Sequence, residues 1–255
     1  MGPEVAVSGH SKWATIKHKK GAADKARAKL FAKLIRQVEV AAREGGGDLD
    51  ANATLRTMFQ KARDNSVPLD TIERAIKRGT GELDGVSYEQ VIYEGYAPHG
   101  VAVFVEALTD NRNRTGAEIR SVFSRAGGSL AEPGAVAWQF DRKGVVMVSG
   151  DLDEDDVMLV ALDGGAEDVV AEGDMWRITS APTDTMAVRA ALEGAGIEVA
   201  SADLTYLPQN LVELTVTGEA RAVMAVMDAL DDHDDVQGVY ANFDVPDEVL
   251  AALAE

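Results

Sequence analysis

Apolar residues return at helical spacing from Lys25 to Glu44. Counting about 100° per residue from Leu30, the residues Leu30, Phe31, Leu34, Ile35, Val38, Ala41 and Ala42 fall within roughly 0–140°. That is a core-facing stripe of ordinary width. Lys25, Lys29, Lys33, Arg36 and Arg43 fall within roughly 220–300° on the same count and define an outward cationic ridge, with Arg27 off it. "GGGD" (Gly45–Asp48) closes this helix. A second helix is expected from Thr54 to Asn65, burying Leu55, Met58, Phe59 and Ala62. A third opens at Pro68 and Asp70, with Glu73 in capping-box position. It buries Ile72, Ala75 and Ile76 and stops at "GTG" (Gly79–Gly81). Residues 8–80 thus read as a basic all-α domain, a three-helix bundle followed by a hinge.

Beyond residue 85 the period changes. "VAVFVEALT" (Val101–Thr109) reads as a buried strand, followed by a helix from about Thr115 to Ala126 and a short strand in "GGSLAE" (Gly127–Glu132). "YEGYAPHG" (Tyr93–Gly100) reads as a turn. "LVELTVTG" (Leu211–Gly218), a helix over Glu219–Asp231 and "VQGVYANFD" (Val236–Asp244) repeat the strand–helix–strand order. The two halves suggest one discontinuous ferredoxin-like domain, 85–133 plus 208–246. Residues 134–207 would then be an inserted α/β domain. In it "AVAWQF" and "KGVVMVSG" form a hairpin, Glu154–Leu162 and Thr183–Ala195 are helices, and "AEDVVAEG", "MWRITSA" and "IEVASADLTYL" are strands, a ββαββαβ order. The expected fold class is α+β: a three-helix bundle followed by two α/β sandwich lobes, one inserted in the other.

Charge changes this picture most. The chain of 255 residues has a net charge of −18, yet residues 1–80 carry 16 Lys and Arg against 9 Asp and Glu. Residues 81–255 carry 9 against 34. A basic end on an acidic body points to a polyanion partner, with like-charge repulsion keeping the body off it. There is no cysteine, which excludes disulfides, thiolate metal sites and cysteine nucleophiles. No apolar run approaches the roughly 20 residues of a membrane span. The first residues lack an export-signal pattern, so the expected compartment is the cytoplasm. Met1–Ala6 read as an upstream extension, with Val7 as a natural start.

The segment "GHSKWATIKHKKG" (Gly9–Gly21) carries Lys12, Lys17, Lys19 and Lys20 with Trp13, His10 and His18. Cations neutralise phosphates and release counterions, an exposed ring stacks on an unpaired base, and Ser11 and Thr15 supply neutral donors. The expected nucleic-acid-binding set is Lys12, Trp13, Lys17, His18, Lys19, Lys20, Lys25, Lys29, Lys33, Arg36 and Arg43. The plainer alternative is a solvated tail with Trp13 packed on the bundle. "TDNRNRT" (Thr109–Thr115) is a second candidate, because Arg112 and Arg114 at a helix start would meet a phosphate. Equally, the arginines would pair with acidic neighbours. Glu94, Glu106 and Asp110 could be imagined as Mg²⁺ ligands of a nuclease, but acids are abundant and such groupings arise by chance. Histidines 10, 18, 99 and 233 show no ligand spacing, "DLDEDD" (Asp151–Asp156) lacks the glycine of a calcium loop, and no Walker or dinucleotide fingerprint occurs. No cofactor or metal is expected.

"GHSKWATIKHKKGAADKARAKLFAKLIRQVEVAAREGGGD", "SVPLDTIERAIKRGTGE", "YEGYAPHGVAVFVEALTDNRNRT" and "GGSLAEPGAVAWQF" together resemble the YebC/PmpR family, most strongly over residues 8–145. The resemblance implies three domains, an all-α front and two α/β lobes. It also implies a DNA-binding transcriptional regulator or, as for a mitochondrial translational activator and bacterial relatives that ease stalling at proline-rich stretches, a factor acting at the ribosome. The expected function is a non-catalytic nucleic-acid-binding regulator. Its partner would be DNA or ribosomal RNA, and the ribosome itself is a further candidate. The absence of helix-turn-helix spacing speaks against sequence-specific base reading.

Overall fold

The structure, a computed structural model, describes residues 23–254. The chain is α+β. Three helices come first: α1 (Ala23–Gly45), α2 (Ala53–Asp64) and α3 (Leu69–Gly79). Then follow β1 (Glu89–Tyr96), β2 (Ala102–Thr109), α4 (Arg112–Arg125) and β3 (Ser129–Leu130). A middle series comprises β4 (Phe140–Ser149), α5 (Glu154–Asp163), β5 (Ala166–Glu172), β6 (Met175–Ser180), α6 (Thr185–Gly194) and β7 (Val199–Pro208). The last elements are β8 (Val212–Glu213), α7 (Thr217–Asp231), β9 (Val236–Ala241), β10 (Phe243–Asp244) and α8 (Asp247–Ala254).

These elements form two compact units. The first contains Val86–Asp141, the chain from Leu207 onward, and the described residues up to Lys33; the second contains Leu34–Gly85 and Arg142–Tyr206. In the first unit the sheet order is β3-β1-β2-β9. β2 runs antiparallel to both neighbours, with Val105 opposite Tyr93 and Val239. Residues opposite one another share a face of the pleat. Val103, Val105, Val239 and Ala241 therefore meet Ile119 and Phe123 of α4 and Val223, Met227 and Leu230 of α7 in one buried cluster. The other face holds Phe104, whose ring lies 5.7 Å from Phe140 and 6.4 Å from Tyr240. Cover on both faces explains why β2 reads as a continuous apolar run instead of an alternating one.

A single buried carboxylate fixes the covering loop. Glu94 of β1 is 6% exposed, its Oε1 accepts the Gly134 N–H at 2.6 Å, and its Oε2 accepts those of Val136 and Ala137, both at 2.7 Å. The loop so held presents Trp138, which remains 64% exposed while its indole N–H donates to the Ala135 carbonyl at 3.1 Å.

In the second unit the sheet order is β5-β6-β4-β7, with α5 and α6 as the crossovers of a βαββαβ unit. This is the ferredoxin-like strand order. Val146, Val148, Ile178, Val157, Ala161, Val188 and Leu192 form its core. The same unit contains the helical segment 34–85, with Leu34, Val38, Leu55 and Ile72 buried. Arg189 of α6 meets Asp64 at the end of α2 at 2.5 Å. Burial raises the Asp64 pKa, but the Arg189 and Gln60 hydrogen bonds and the Arg189 charge outweigh it, leaving the group below its ordinary 3.8. A depressed carboxylate stabilises the fold above the unfolded pKa, and that contribution disappears as pH falls through the folded value. Arg189→Gln is therefore expected to lower the melting temperature at pH 7, with the difference from wild type shrinking once pH drops below 3.8.

Gly79, expected only as a helix terminator, also packs. A β-carbon there would overlap the Glu39 carbonyl and the Ala42 side chain of α1. Gly79→Ala is expected to cost about 1–3 kcal/mol, seen as a lower denaturant midpoint at unchanged m-value.

Five expectations are corrected. The end of the presumed turn Tyr93–Gly100 is a 3₁₀ turn (Pro98–Gly100), but Tyr93–Tyr96 belong to strand β1. "AVAWQF" and "KGVVMVSG" make no hairpin: a 3₁₀ turn (Ala137–Gln139) runs into the single strand β4, so the order is βαββαβ. The expected strand Leu211–Gly218 is reduced to β8, paired in parallel with β10. α3 starts after Pro68 with no side-chain cap, leaving Asp70 in the first turn, where its charge favours the positive helix end. α4 begins at Arg112, earlier than Thr115, because the Asn111 side chain accepts the Arg114 N–H at 3.1 Å and caps the helix.

Candidate nucleic-acid interface

Lys12, Trp13, Lys17, His18, Lys19 and Lys20 lie outside the described residues, and so does the side chain of Lys25. Of the remaining ridge, the structure corrects the outward placement of Lys33. It is 9% exposed, and its ammonium donates to Asp231 Oδ1 at 2.9 Å and to the Asp231 carbonyl at 3.2 Å. Lys29 is half-buried, and its Nζ stands 3.4 Å from Asp232 Oδ1. Arg36 is half-buried as well. Arg43 is exposed but reaches back at 3.2 Å to Glu39, which is 3% exposed and also takes the Arg78 guanidinium at 2.9 Å.

The physical reason lies in the sequence of α1. Val38, Glu39, Val40, Ala41 and Ala42 are all buried, so the second half of the helix is covered on more than one face. Val40 falls in the same angular sector as Lys33, at roughly 280° from Leu30, and marks that sector as partly apolar. At the other end, Leu30 is 37% exposed, and Phe31 lies under the Arg27 guanidinium at 5.3 Å.

The cations that do face solvent are partly ones the helical count passed over. Arg27 of α1, Arg63 of α2, and Arg74 and Lys77 of α3 are exposed. Arg74 and Lys77 stand three apart on α3 and share a face. The signal was present in "TIERAIKRG" (Thr71–Gly79), where the cations sit opposite the buried Ile72 and Ala75.

The second candidate divides. Arg114 is committed to two aspartates, Asp110 and Asp235, each at 2.9 Å. Hydrogen bonds to Asp235 and Asp110 hold its guanidinium above the usual arginine range. Asp235 is buried and also accepts the Thr115 hydroxyl at 2.7 Å, and Thr115 in turn lies 2.8 Å from the Thr109 hydroxyl. This network ties the start of α4 to the loop before β9, so Arg114 takes the acidic-neighbour role. Arg112 is exposed, and its carbonyl accepts the Tyr93 hydroxyl at 3.3 Å. Burial lifts the Tyr93 phenol above its ordinary 10, against the opposing charge of Arg112.

The three carboxylates considered for a metal have other occupations. Glu94 is consumed by backbone donors. Glu106 accepts from Gln90 at 3.1 Å and from the Tyr240 hydroxyl at 3.1 Å, and Asp110 pairs with Arg114. Among the described residues no helix is long and apolar enough to cross a membrane.

Residues 11–82 match the model of the TACO1/YebC protein N-terminal domain, and residues 88–243 match that of the TACO1/YebC second and third domain. A "Probable transcriptional regulatory protein" of Halothermothrix orenii is 54% identical, covering 98% of this chain and 100% of that protein. Another protein of that name, from Thermobifida fusca, is 55% identical, covering 97% and 100%. Among solved structures, a conserved hypothetical protein, Aq1575, of Aquifex aeolicus superposes with a TM-score of 0.81 at 44% identity, over 92% of this chain and 97% of that one.

Proposed function

The chain belongs to the TACO1/YebC family, and we propose that it is a non-catalytic, nucleic-acid-binding regulator of gene expression that acts on DNA in the cytoplasm. One observation carries this reading: a front of 80 residues with 16 cations against 9 acids, joined to a body with 9 against 34. Such a front attracts phosphate chains, and such a body repels them, so contact is confined to one end of the chain. The relatives' shared name, "Probable transcriptional regulatory protein", favours DNA over other polyanions. The phosphate contacts are assigned to Lys12, Lys17, Lys19 and Lys20, assisted by Lys25, Lys29 and Arg36 of α1 and by Arg74 and Lys77 of α3.

A second reading, a translation factor on ribosomal RNA, has its own support. Trp13, His10 and His18 interleave with the front lysines, and rings among cations suit the unpaired bases of irregular RNA. Crosslinking in living cells followed by sequencing separates the two. Enrichment of DNA over ribosomal RNA is the expected result. Enrichment of ribosomal RNA would transfer the function to the second reading, and enrichment of neither would overturn nucleic-acid binding. A nuclease would degrade DNA with Mg²⁺ and stop with EDTA; the proposed regulator leaves DNA intact.

A further inference from the structure

Helix α7 closes on "MDALDDHDD" (Met227–Asp235), with Asp231 its final residue and Asp232 its C-cap. The last turn contains no basic residue. Carboxylates here sit at the end where the helix dipole is already negative and where carbonyls lack partners within the helix. The compensating charge comes from far away in sequence. Lys33 donates both to the Asp231 carboxylate at 2.9 Å and to its carbonyl at 3.2 Å, capping the helix. Lys29, one turn earlier on α1, faces Asp232 at 3.4 Å. Two lysines of the basic helix thus meet two consecutive aspartates. Side-chain exposure grades the two pairs: Lys33 is 11% exposed against 24% for Asp231, and Lys29 is 29% exposed against 79% for Asp232.

We propose that the end of α7 is a built-in competitor for nucleic acid. Asp231 and Asp232 occupy Lys29 and Lys33 in the free protein, and a phosphate chain that engages this stretch of α1 has to take their place. The inference rests on the nucleic-acid-binding reading and adds a regulation to it. Apparent affinity is lowered in proportion to the small fraction of molecules whose α1 lysines are free. A chain of phosphates, which replaces both carboxylates at once, succeeds where a single phosphate fails. The aspartates thereby set a threshold against weak and solitary anions.

The test is fluorescence anisotropy of the full-length chain with a labelled DNA duplex and, separately, a labelled single-stranded RNA. Asp231→Asn with Asp232→Asn is expected to tighten binding about five- to tenfold, the worth of one or two partly exposed ion pairs. That gain is expected to vanish when Lys29→Gln and Lys33→Gln are added. Asp155→Asn with Asp156→Asn removes the same charge from the first turn of α5 and should shift affinity less than about twofold. Should the Asp231 variant fail to fold, Asp232→Asn alone, at a largely exposed side chain, is expected to give about a twofold gain that Lys29→Gln abolishes. An unchanged affinity in the aspartate variants, or an equal gain in the α5 control, overturns the competitor while leaving nucleic-acid binding intact. No binding by wild type or by any folded variant would overturn both.

Discussion

Replacing Lys12, Lys17, Lys19 and Lys20 together with glutamine is expected to lower affinity for a DNA duplex about a hundredfold at about 100 mM salt. Each lysine that neutralises a phosphate releases close to one condensed counterion, so four losses also flatten the log–log salt dependence by about 3 to 4 units. Non-specific binding is nearly all of this kind, and the loss should therefore be similar across DNA sequences. The contrast with α1 is specific. Lys33→Gln alone should barely change affinity, because the wild-type ammonium is already held by Asp231. It should instead lower stability, since the part-buried Asp231 carboxylate and the helix-end carbonyl lose the Lys33 ammonium as a donor. Arg74→Gln with Lys77→Gln, at exposed positions of α3, should fall between these extremes. Anisotropy titrations alongside thermal melts separate the binding losses from the folding ones.

Glu94→Gln is expected to destabilise the first unit by about 2–4 kcal/mol. The wild-type side chain accepts three backbone N–H groups through two oxygens. Glutamine keeps one acceptor oxygen and points an amide donor at the remaining N–H groups. Either Gly134 loses its partner or Val136 and Ala137 do, in a position only 6% exposed. An unpaired buried donor bears its full desolvation cost. The loop also covers Phe104 through Phe140, so loosening it exposes part of the sheet's second face. A denaturant titration reads the loss. A change below about 0.5 kcal/mol, the size of an ordinary surface substitution, would mean that the loop is held by something other than this carboxylate.

The helices were legible because their signals are local. Apolar spacing gave α1, α2 and α3 to within two residues at each end, and the glycine clusters after α1 and α3 stood where those helices stop. The strands were legible where burial dominates, as in β2 and β9. β1 was missed because "YEGYAPHG" contains two glycines and a proline, the vocabulary of a turn, although the chain turns only at Pro98–Gly100. Gly95 sits in the strand because a side chain there would strike Phe123 and the Ser129 carbonyl. That requirement is set by a neighbour more than 25 residues away in sequence, and no local pattern shows it.

The candidate interface was legible as a charge pattern and not as a set of free side chains. A helical count assigns Lys33 a direction but cannot reveal that Asp231, about 200 residues further on, will stand in it. The same holds for Arg114, whose second partner Asp235 arrives from the loop before β9. Distance in sequence, not chemistry, hid both pairs. Glu94 is the reverse case. Considered as a metal ligand because it is an acid among acids, it serves as an acceptor for its own backbone, a role visible only once the loop folds over it.

The central claim is that the positive front of this protein holds a phosphate chain while its negative body stands clear. Affinity for a DNA duplex measured from low to moderate salt tests it most directly. With the four front lysines and about one of the assisting cations each neutralising a phosphate, log Kd should rise with log salt at a slope near 4 to 5, shallower on a single strand. A slope near zero, or no binding even at about 50 mM salt, would contradict it.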